Sequence, residues 1–336
     1  MAQPERKLIL PGRGTERILH SRVLQSPLAG VSDPIFRQLV RRWAPDVLLF
    51  TEMVNATSLE LGHGLNKLEE LKTEKGPIGV QLFDFRPKAM AEAAKRAEAA
   101  GAFLIDINMG CPVRKIARKG GGSGLLRDPD QAVKIVDCVT RAVQIPVTVK
   151  TRLGWCGQSA DPLSFCLRLQ EAGAQLLTLH GRTREQGFSG TADWESIAKV
   201  KQALGIPLIA NGDVKNPEDA LRCIKTTGAD GVMVGRATMG APWLVGQIHS
   251  ALQGEPVAET PGPLARVSLA REQLQKLLAS KGDHGLMIAR KHMSWTCIGF
   301  PGAPQFRQAL MRAKTPSEAM RLLEQKIELL IQTSDK

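Results

Sequence analysis

The sequence predicts an α/β chain, a parallel (β/α)8 TIM barrel followed by a small C-terminal all-helical bundle, and three observations carry that prediction. Eight short β-rich runs alternate with helix-periodic segments between residues 22 and 235. Each run gives way to a polar residue or a glycine, as barrel strands do at the rim where active sites of this fold sit. A Pro/Gly-containing stretch, "EPVAETPGPLA" around 255–265, then separates this array from a remainder with helical patterns only.

The runs are "RVLQS" (22–26), "VLLFT" (47–51), "IGVQL" (78–82), "FLIDIN" (103–108), "PVTVK" (146–150), "LLTLH" (176–180), "PLIAN" (207–211) and "GVMVG" (231–235). Between them lie "RPKAMAEAAKRAEAAG", "DPDQAVKIVDCVTRAV", "DPLSFCLRLQEAG", "DWESIAKVKQALG" and "NPEDALRCIKTTG". Several open on Asp or Asn before Pro or an acidic residue and close on Gly, the signature of helix caps. The strand ends are Ser26, Thr51 with Glu52, Gln81, Asn108, Lys150, His180, Asn211, and Gly235 with Arg236. An open doubly wound sheet is the alternative arrangement. The expected organisation is an N-terminal extension (1–21), the barrel (22–254), a linker (255–265) and a helical domain (266–336) built from "LARVSLAREQLQKLLAS", "GLMIARKHMSW", "PQFRQALMRA" and "PSEAMRLLEQKIELLIQ".

With 43% hydrophobic and 23% charged residues the chain can form a sizeable core. No run of 18 or more apolar residues occurs, and the apolar patch near the N-terminus is too short for a signal peptide. A cytoplasmic protein without a membrane partner is expected. Cysteines 111, 138, 156, 166, 223 and 297 lie far apart with no CxxC pair, so neither a metal site nor a disulfide framework is indicated. The net charge of +12 favours polyanionic partners, and residues 262–336 alone hold 12 Lys/Arg against 6 Asp/Glu.

Four groups of residues point to chemistry. "IANGDV" (209–214) and "GVMVGRATMGAPW" (231–243) place Gly-bearing loops after the last two strands, the frequent phosphate site of barrels, with Arg236 as a charged contact. Lys150, His180 and Gln81 share the rim and suit the electron-rich edge of a flavin or pyrimidine ring. Cys111, three residues past the fourth run in "NMGCP", is either an inert small side chain or a thiol at the catalytic face that can donate a proton. Arg114, Lys115, Arg118 and Lys119 follow in a stretch without a carboxylate from 107 to 127, favouring a polyanion track over ion pairs.

The motifs "DINMGCP", "VKTRLGW", "LHGRTREQGF", "IPLIANGDV" and "GVMVGRATMGAPW", in this order, together with "IARKHMSW", resemble those of bacterial tRNA-dihydrouridine synthases over residues 22–325. The resemblance implies an FMN-bearing barrel and a helical tRNA-binding domain, reducing D-loop uridines at the expense of NADPH, with NADH a possible substitute. Carried over by motif, FMN is held by Pro27, Leu28, Ala29, Gln81, Lys150, His180, Asn211, Gly212, Asp213, Gly235 and Arg236. Cys111 matches the family's proton donor, which protonates uracil C5 after hydride passes from flavin N5 to C6, the uracil being presented out of its stack. The first-strand motif reads Ser26-Pro27-Leu28 where Ala-Pro-Met is usual, and the glycine run "KGGGSGLL" is richer than in some subgroups.

In the basic C-terminal segment Arg290, Lys291, His292, Arg307, Arg312, Lys314, Arg321 and Lys326 are candidates for backbone contacts, and Trp295 for stacking or core packing. A monomer is the favoured state. The rival readings are a flavin enzyme acting on a free pyrimidine, such as a dihydroorotate or dihydropyrimidine dehydrogenase, and a non-catalytic RNA-binding protein. The same chemistry on ribosomal RNA is a further alternative.

Overall fold

All eight runs become parallel strands of one sheet in the computed structural model, which describes residues 7–334. In chain order the elements begin with β1 (Leu8–Leu10), β2 (Arg17–Leu19), β3 (Val23–Gln25), α1 (Pro34–Arg41), β4 (Leu49–Phe50), β5 (Val54–Asn55), α2 (Ala56–Glu60) and α3 (Asn66–Glu69). There follow β6 (Ile78–Phe83), α4 (Pro87–Ala99), β7 (Leu104–Asn108), α5 (Arg114–Arg118), α6 (Pro129–Ala142), β8 (Val147–Arg152) and α7 (Pro162–Glu171). The barrel ends with β9 (Leu176–His180), α8 (Trp194–Ala203), β10 (Leu208–Asn211), α9 (Pro217–Thr227), β11 (Gly231–Val234) and α10 (Leu244–Gln253).

The strand order β3-β11-β10-β9-β8-β7-β6-β4 is nearly a closed ring. A parallel bridge between Leu24 and Leu48, with Gln25 N donating to Leu48 O at 3.2 Å, brings its two ends together. Beyond β4 the chain returns to the sheet as β5, pairing Val54 with Leu82 of β6. Asp33, Asn55, Asp128, Asp161, Asp193 and Asn216 each cap a helix through the side chain, and α1, α4, α6, α7 and α9 carry Pro in the first turn. The expected punctuation is therefore used as helix starts, where a side-chain oxygen satisfies an otherwise unpaired amide.

The expected extension at 1–21 contains structure that the sequence reading did not assign. Residues 1–6 lie outside the described residues, but β1 and β2 pair antiparallel, Leu8 with Leu19 and Leu10 with Arg17. Leu8, Leu10 and Leu19 bury themselves with Leu24, Leu48, Phe50, Leu104, Leu176, Ile209 and Met233 of the strands. The hairpin thus adds its apolar side to the barrel's own core, and hydrophobic burial accounts for it.

Helices α11 (Pro263–Lys281), α12 (His284–Thr296), α13 (Ala303–Arg312) and α14 (Pro316–Ser334) make the C-terminal bundle, the first starting inside the stretch expected to be linker. Its core is Val267, Leu274, Leu277, Leu286, Met293, Leu310 and Leu323, joined by Ile35 from α1. Gly285 allows α12 to approach α11 closely: a Cβ there would stand 2.5 Å from Leu277 O. Trp43 meets Trp243 edge-on, and Gly240 lies so near the Trp295 backbone that a Cβ would come within 2.4 Å of it. Trp295 is thereby part of the junction between the two halves.

Arg37 of α1 is wholly buried and donates to Glu74 Oε2 (2.8 Å), Ser32 O (2.8 Å) and Glu70 Oε2 (3.5 Å). Arg37→Ala leaves the buried Glu74 short of its closest cation, which typically costs about 3–5 kcal/mol. Urea unfolding is expected to register that loss; a change below about 1 kcal/mol would mean that Arg41, 3.7 Å from Glu74, compensates.

Candidate functional site

At the C-terminal ends of the strands a cavity of about 700 Å³ opens, and every residue matched by motif to flavin binding lines it: Pro27, Leu28, Ala29, Gln81, Lys150, His180, Asn211, Gly212, Asp213, Gly235 and Arg236. Cys111 lines it as well. Strand register explains the convergence. Gln81 pairs with Asp106 and Asp106 with Thr148, while Asn108 pairs with Lys150, Arg152 with His180, and His180 with Asn211. Neighbours in parallel register point to the same face, so polar side chains spread over five segments meet in successive layers.

The lower layer is a hydrogen-bonded chain anchored on a buried carboxylate. Asp106 accepts from Gln81 Nε2 and from Thr148 Oγ1, each at 2.6 Å. Gln81 Oε1 in turn accepts from Asn108 Nδ2 at 2.8 Å, and Asn108 Oδ1 accepts from the amides of Gly110 (3.1 Å) and Cys111 (2.9 Å). Asp106 therefore orients Gln81, Gln81 orients Asn108, and Asn108 fixes the turn that carries the thiol. Burial pushes Asp106 up to about 6, against the opposing pull of Thr148, Gln81 and Lys150.

The upper layer is cationic. Lys150 Nζ donates to Asn211 Oδ1 at 2.9 Å, and Asn211 Nδ2 to Met233 O at 2.8 Å. Burial, then Arg152, brings Lys150 down to about 8, with Asp106 and Cys111 opposing. Burial together with Lys150, Arg152, Arg182 and Arg236 takes His180 down to about 2, so its imidazole is neutral at physiological pH. The Cys111 thiol is pushed up by burial, a shift that the Val113 amide, Arg152 and Lys150 only partly offset. It is accordingly a protonated thiol at neutral pH, equipped to donate rather than to attack.

Two arginines that the sequence reading did not single out frame the remaining wall. Arg152 donates to Gly110 O (2.7 Å), Thr183 O (3.1 Å) and Gly187 O (2.8 Å). Arg182 donates to Ser189 O (3.0 Å) and Gly190 O (2.6 Å) and to both oxygens of Asp213 (2.9 and 2.7 Å). Together they pin loop 181–190 and hold Phe188, 54% exposed, at the mouth, with Arg236 stacked 4.4 Å from its ring centre. Spacing is the available signal for Arg152, two residues beyond Lys150 on the same face of β8; Arg182 lies past the end of β9, where its amide turns back to His180 O at 2.7 Å, and no strand periodicity marks it.

Asp213 lines the cavity with its carboxylate already engaged, by Arg182 and by the Ala192 amide at 2.7 Å, so its side chain positions Arg182. It sits at φ 57°, beside Gly212 at φ 119°, where a Cβ would lie 3.0 Å from the His180 ring. The turn after β11 bonds Thr238 N to Gly235 O and Met239 N to Arg236 O. Among the described residues the amides of Arg236 and Ala237, both at the cavity wall, donate to no carbonyl and are free for an anion.

Of the residues expected to meet RNA, Arg114, Lys115, Arg118 and Lys119 are exposed on and just after α5, and none has a carboxylate partner among the described residues. Arg312, Lys314 and Arg321 are exposed; Arg290 is half-buried and donates to Ala313 O at 2.7 Å. Arg307 is half-buried, and Lys326 lies over the Phe300 ring. Lys291 reaches back to the loop after β3, where a Cβ on Gly30 would be 2.9 Å from its Nζ. His292 does not fit the expectation: it is 1% exposed, packed against Phe36 and Trp295, because one residue further round the helix from Lys291 the side chain faces the core.

Comparison with known proteins adds a family match and two relatives. The family model described as "Dihydrouridine synthase (Dus)" matches residues 24–332. A protein named "Probable tRNA-dihydrouridine synthase 1" from Synechocystis sp. is 52% identical over 309 residues, covering 92% of this chain and 87% of that protein. "tRNA-dihydrouridine synthase B" from Pseudomonas aeruginosa is 40% identical over 297 residues, 88% of this chain and 89% of its own.

Proposed function

Because the chain belongs to the dihydrouridine synthase family, a family of flavin-dependent oxidoreductases, we propose that it reduces the C5=C6 bond of a D-loop uridine in tRNA, with FMN as its flavin and NADPH as reductant. The observation that carries this reading is the placement of one protonated thiol, Cys111, on the wall of the same cavity as Lys150, His180 and Asn211. The donor set suits an FMN: Gly212 and the Gly235 turn allow close backbone approach, two free amides and Arg236 suit a phosphate, and Lys150 suits the electron-rich ring edge. Pro27, Leu28, Ala29 and Gln81 complete the holding set, and Gly212 and Asp213 contribute backbone. Held by these residues, a flavin reduced by NADPH would supply the hydride for uracil C6.

The chain's own residues do the rest. Cys111 holds the proton delivered to C5, on a turn immobilised by Asn108 and Gln81. Neutral His180 contributes hydrogen bonding without a competing positive charge. Loop 181–190 and Phe188 narrow the mouth that an extruded uracil must enter. Exposed cations on α5 and in the helical domain serve the tRNA backbone, and they disfavour a free pyrimidine as substrate, which has no use for them. With tRNA as substrate, the place of action is the cytoplasm; no described helix is long and apolar enough to cross a membrane.

The test is incubation of an unmodified tRNA transcript with the protein, FMN and NADPH, followed by mass spectrometry of the nucleosides. Gain of two hydrogens on a D-loop uridine is expected; oxidation of a free dihydropyrimidine with tRNA left intact would overturn the reading. Arg236→Ala is expected to weaken FMN retention by roughly tenfold through loss of one charge-assisted contact, read by fluorescence of the released flavin. Unchanged flavin affinity would take Arg236 out of the binding set.

A further inference from the structure

A second cavity, of about 580 Å³, lies on the other side of the glycine run from Cys111, and nothing in the proposed reaction uses it. Its walls bring together Phe85, Arg86, Lys115, Ile116, Lys119 and Gly121. We propose that it seats a second unstacked nucleotide of the RNA substrate, its base against the Phe85 ring and its phosphate on Lys115 and Lys119; the proposal rests on the reading that the substrate is tRNA.

Three observations carry it. The first is an exposed aromatic ring on a rigid support. Phe85 is 43% exposed, yet its backbone is pinned on both sides: its amide donates to Asp84 Oδ1 at 2.8 Å, and its carbonyl accepts from Gln131 Nε2 at 2.6 Å. Asp84 is itself buried and held by the Thr57 amide (2.9 Å) and the Arg86 amide (3.2 Å). A ring left nearly half exposed on a fixed loop contributes less to folding than a core ring and is pre-organised for a planar partner.

The second is charge. Lys115 and Lys119 have no carboxylate partner among the described residues, and Asp84, the acidic side chain in the wall, is already engaged by amides, Thr57 and Arg86. The lining therefore presents net positive charge beside an aromatic face, the combination that binds single-stranded nucleic acid through stacking and phosphate contacts. The third is position. A Cβ on Gly122 would stand 3.2 Å from Cys111 Cβ and 3.2 Å from Ile116 Cγ2. Cys111 lines the first cavity and Ile116 the second, so a single glycine separates them. An RNA loop that opens to deliver one uracil to Cys111 exposes neighbouring bases that need a seat, and this cavity is the adjoining one.

Phe85→Ala is expected to raise the KM and the dissociation constant for tRNA by roughly tenfold, the scale of one lost base stack, with kcat at saturating tRNA and flavin reduction by NADPH unchanged. Phe85→Tyr, which keeps a ring, is expected to restore wild-type affinity. Lys115→Gln is expected to lower the slope of log affinity against log salt by roughly 0.7, the share of one single-strand phosphate contact, whereas Phe85→Ala leaves that slope alone. An unchanged dissociation constant for tRNA in Phe85→Ala overturns the assignment. A raised KM for NADPH with tRNA binding intact also overturns it, giving the cavity to the dinucleotide. Direct tRNA binding is measured beside turnover, so a wild-type protein that binds tRNA without reducing it counts against the enzymatic reading and leaves the pocket's own test intact.

Discussion

Cys111→Ala is expected to retain its flavin and to oxidise NADPH at the wild-type rate, while dihydrouridine formation falls by roughly 10²–10⁴-fold, the range contributed by a positioned general acid. The expectation rests on three features of the site. The thiol stands above its ordinary pKa because burial penalises thiolate more than Lys150 and Arg152 favour it, so the proton is present at neutral pH. Its backbone is held through Asn108, Gln81 and Asp106 by side-chain bonds of 2.6–2.9 Å, so the substitution removes a donor without freeing the turn. No cavity-lining residue other than Cys111 combines a resident proton with a place on that turn. The acid form is the active one, so uracil reduction by pre-reduced flavin, the step that depends on Cys111, is expected to hold through neutral pH and to fall only on the alkaline side of the ordinary thiol value of about 8.5. Nucleoside mass spectrometry and NADPH absorbance on the same sample separate the two activities; equal loss of both would place Cys111 in flavin binding instead.

The barrel was legible because each of its units carries its own signals. A β-rich run ends at a polar rim residue, and a helix opens on Asp or Asn and often Pro, as at Asp128-Pro129 and Asp161-Pro162. The β1–β2 hairpin was not legible: two three-residue strands carry too little alternation to separate from coil, and what holds them is the barrel interior. Gln81, Lys150, His180, Asn211, Gly235 and Arg236 are legible as strand ends, where chain position alone brings them together, whereas Cys111 as proton donor and Pro27, Leu28, Ala29, Gly212 and Asp213 follow only from the family resemblance. Asp106 escaped because it lies inside a strand, where a carboxylate reads as an interruption until its partners Gln81 and Thr148 are seen across the register. His292 was misplaced for the opposite reason. Composition marks "RKH" as one basic cluster, but successive helix positions turn by about 100°, which leaves Lys291 half-buried beside Gly30 and buries His292 in the core.

Lys150→Met is expected to slow flavin reduction by NADPH by roughly 10²–10³-fold, the loss found when one preorganised charge or donor is removed from a site of developing negative charge. The flavin's midpoint potential is expected to fall with it, because the cation that favours negative charge at the ring edge is gone. A structural role alone predicts something different. In the flavin-free protein Lys150 is a cost: its folded-state pKa of about 8 lies below the unfolded value of about 10.4, so below pH 8 both states are protonated and the folded state bears the buried charge. Between these values the unfolded chain binds more protons, and stability from this group rises with pH. Flavin-free Lys150→Met is therefore expected to be no less stable than wild type at pH 7 and to lack that alkaline rise in urea titrations. Loss of stability at pH 7 with an unchanged flavin potential would show that Lys150 serves chiefly to hold Asn211, through their 2.9 Å bond. A lowered potential with stability maintained assigns its positive charge to the flavin.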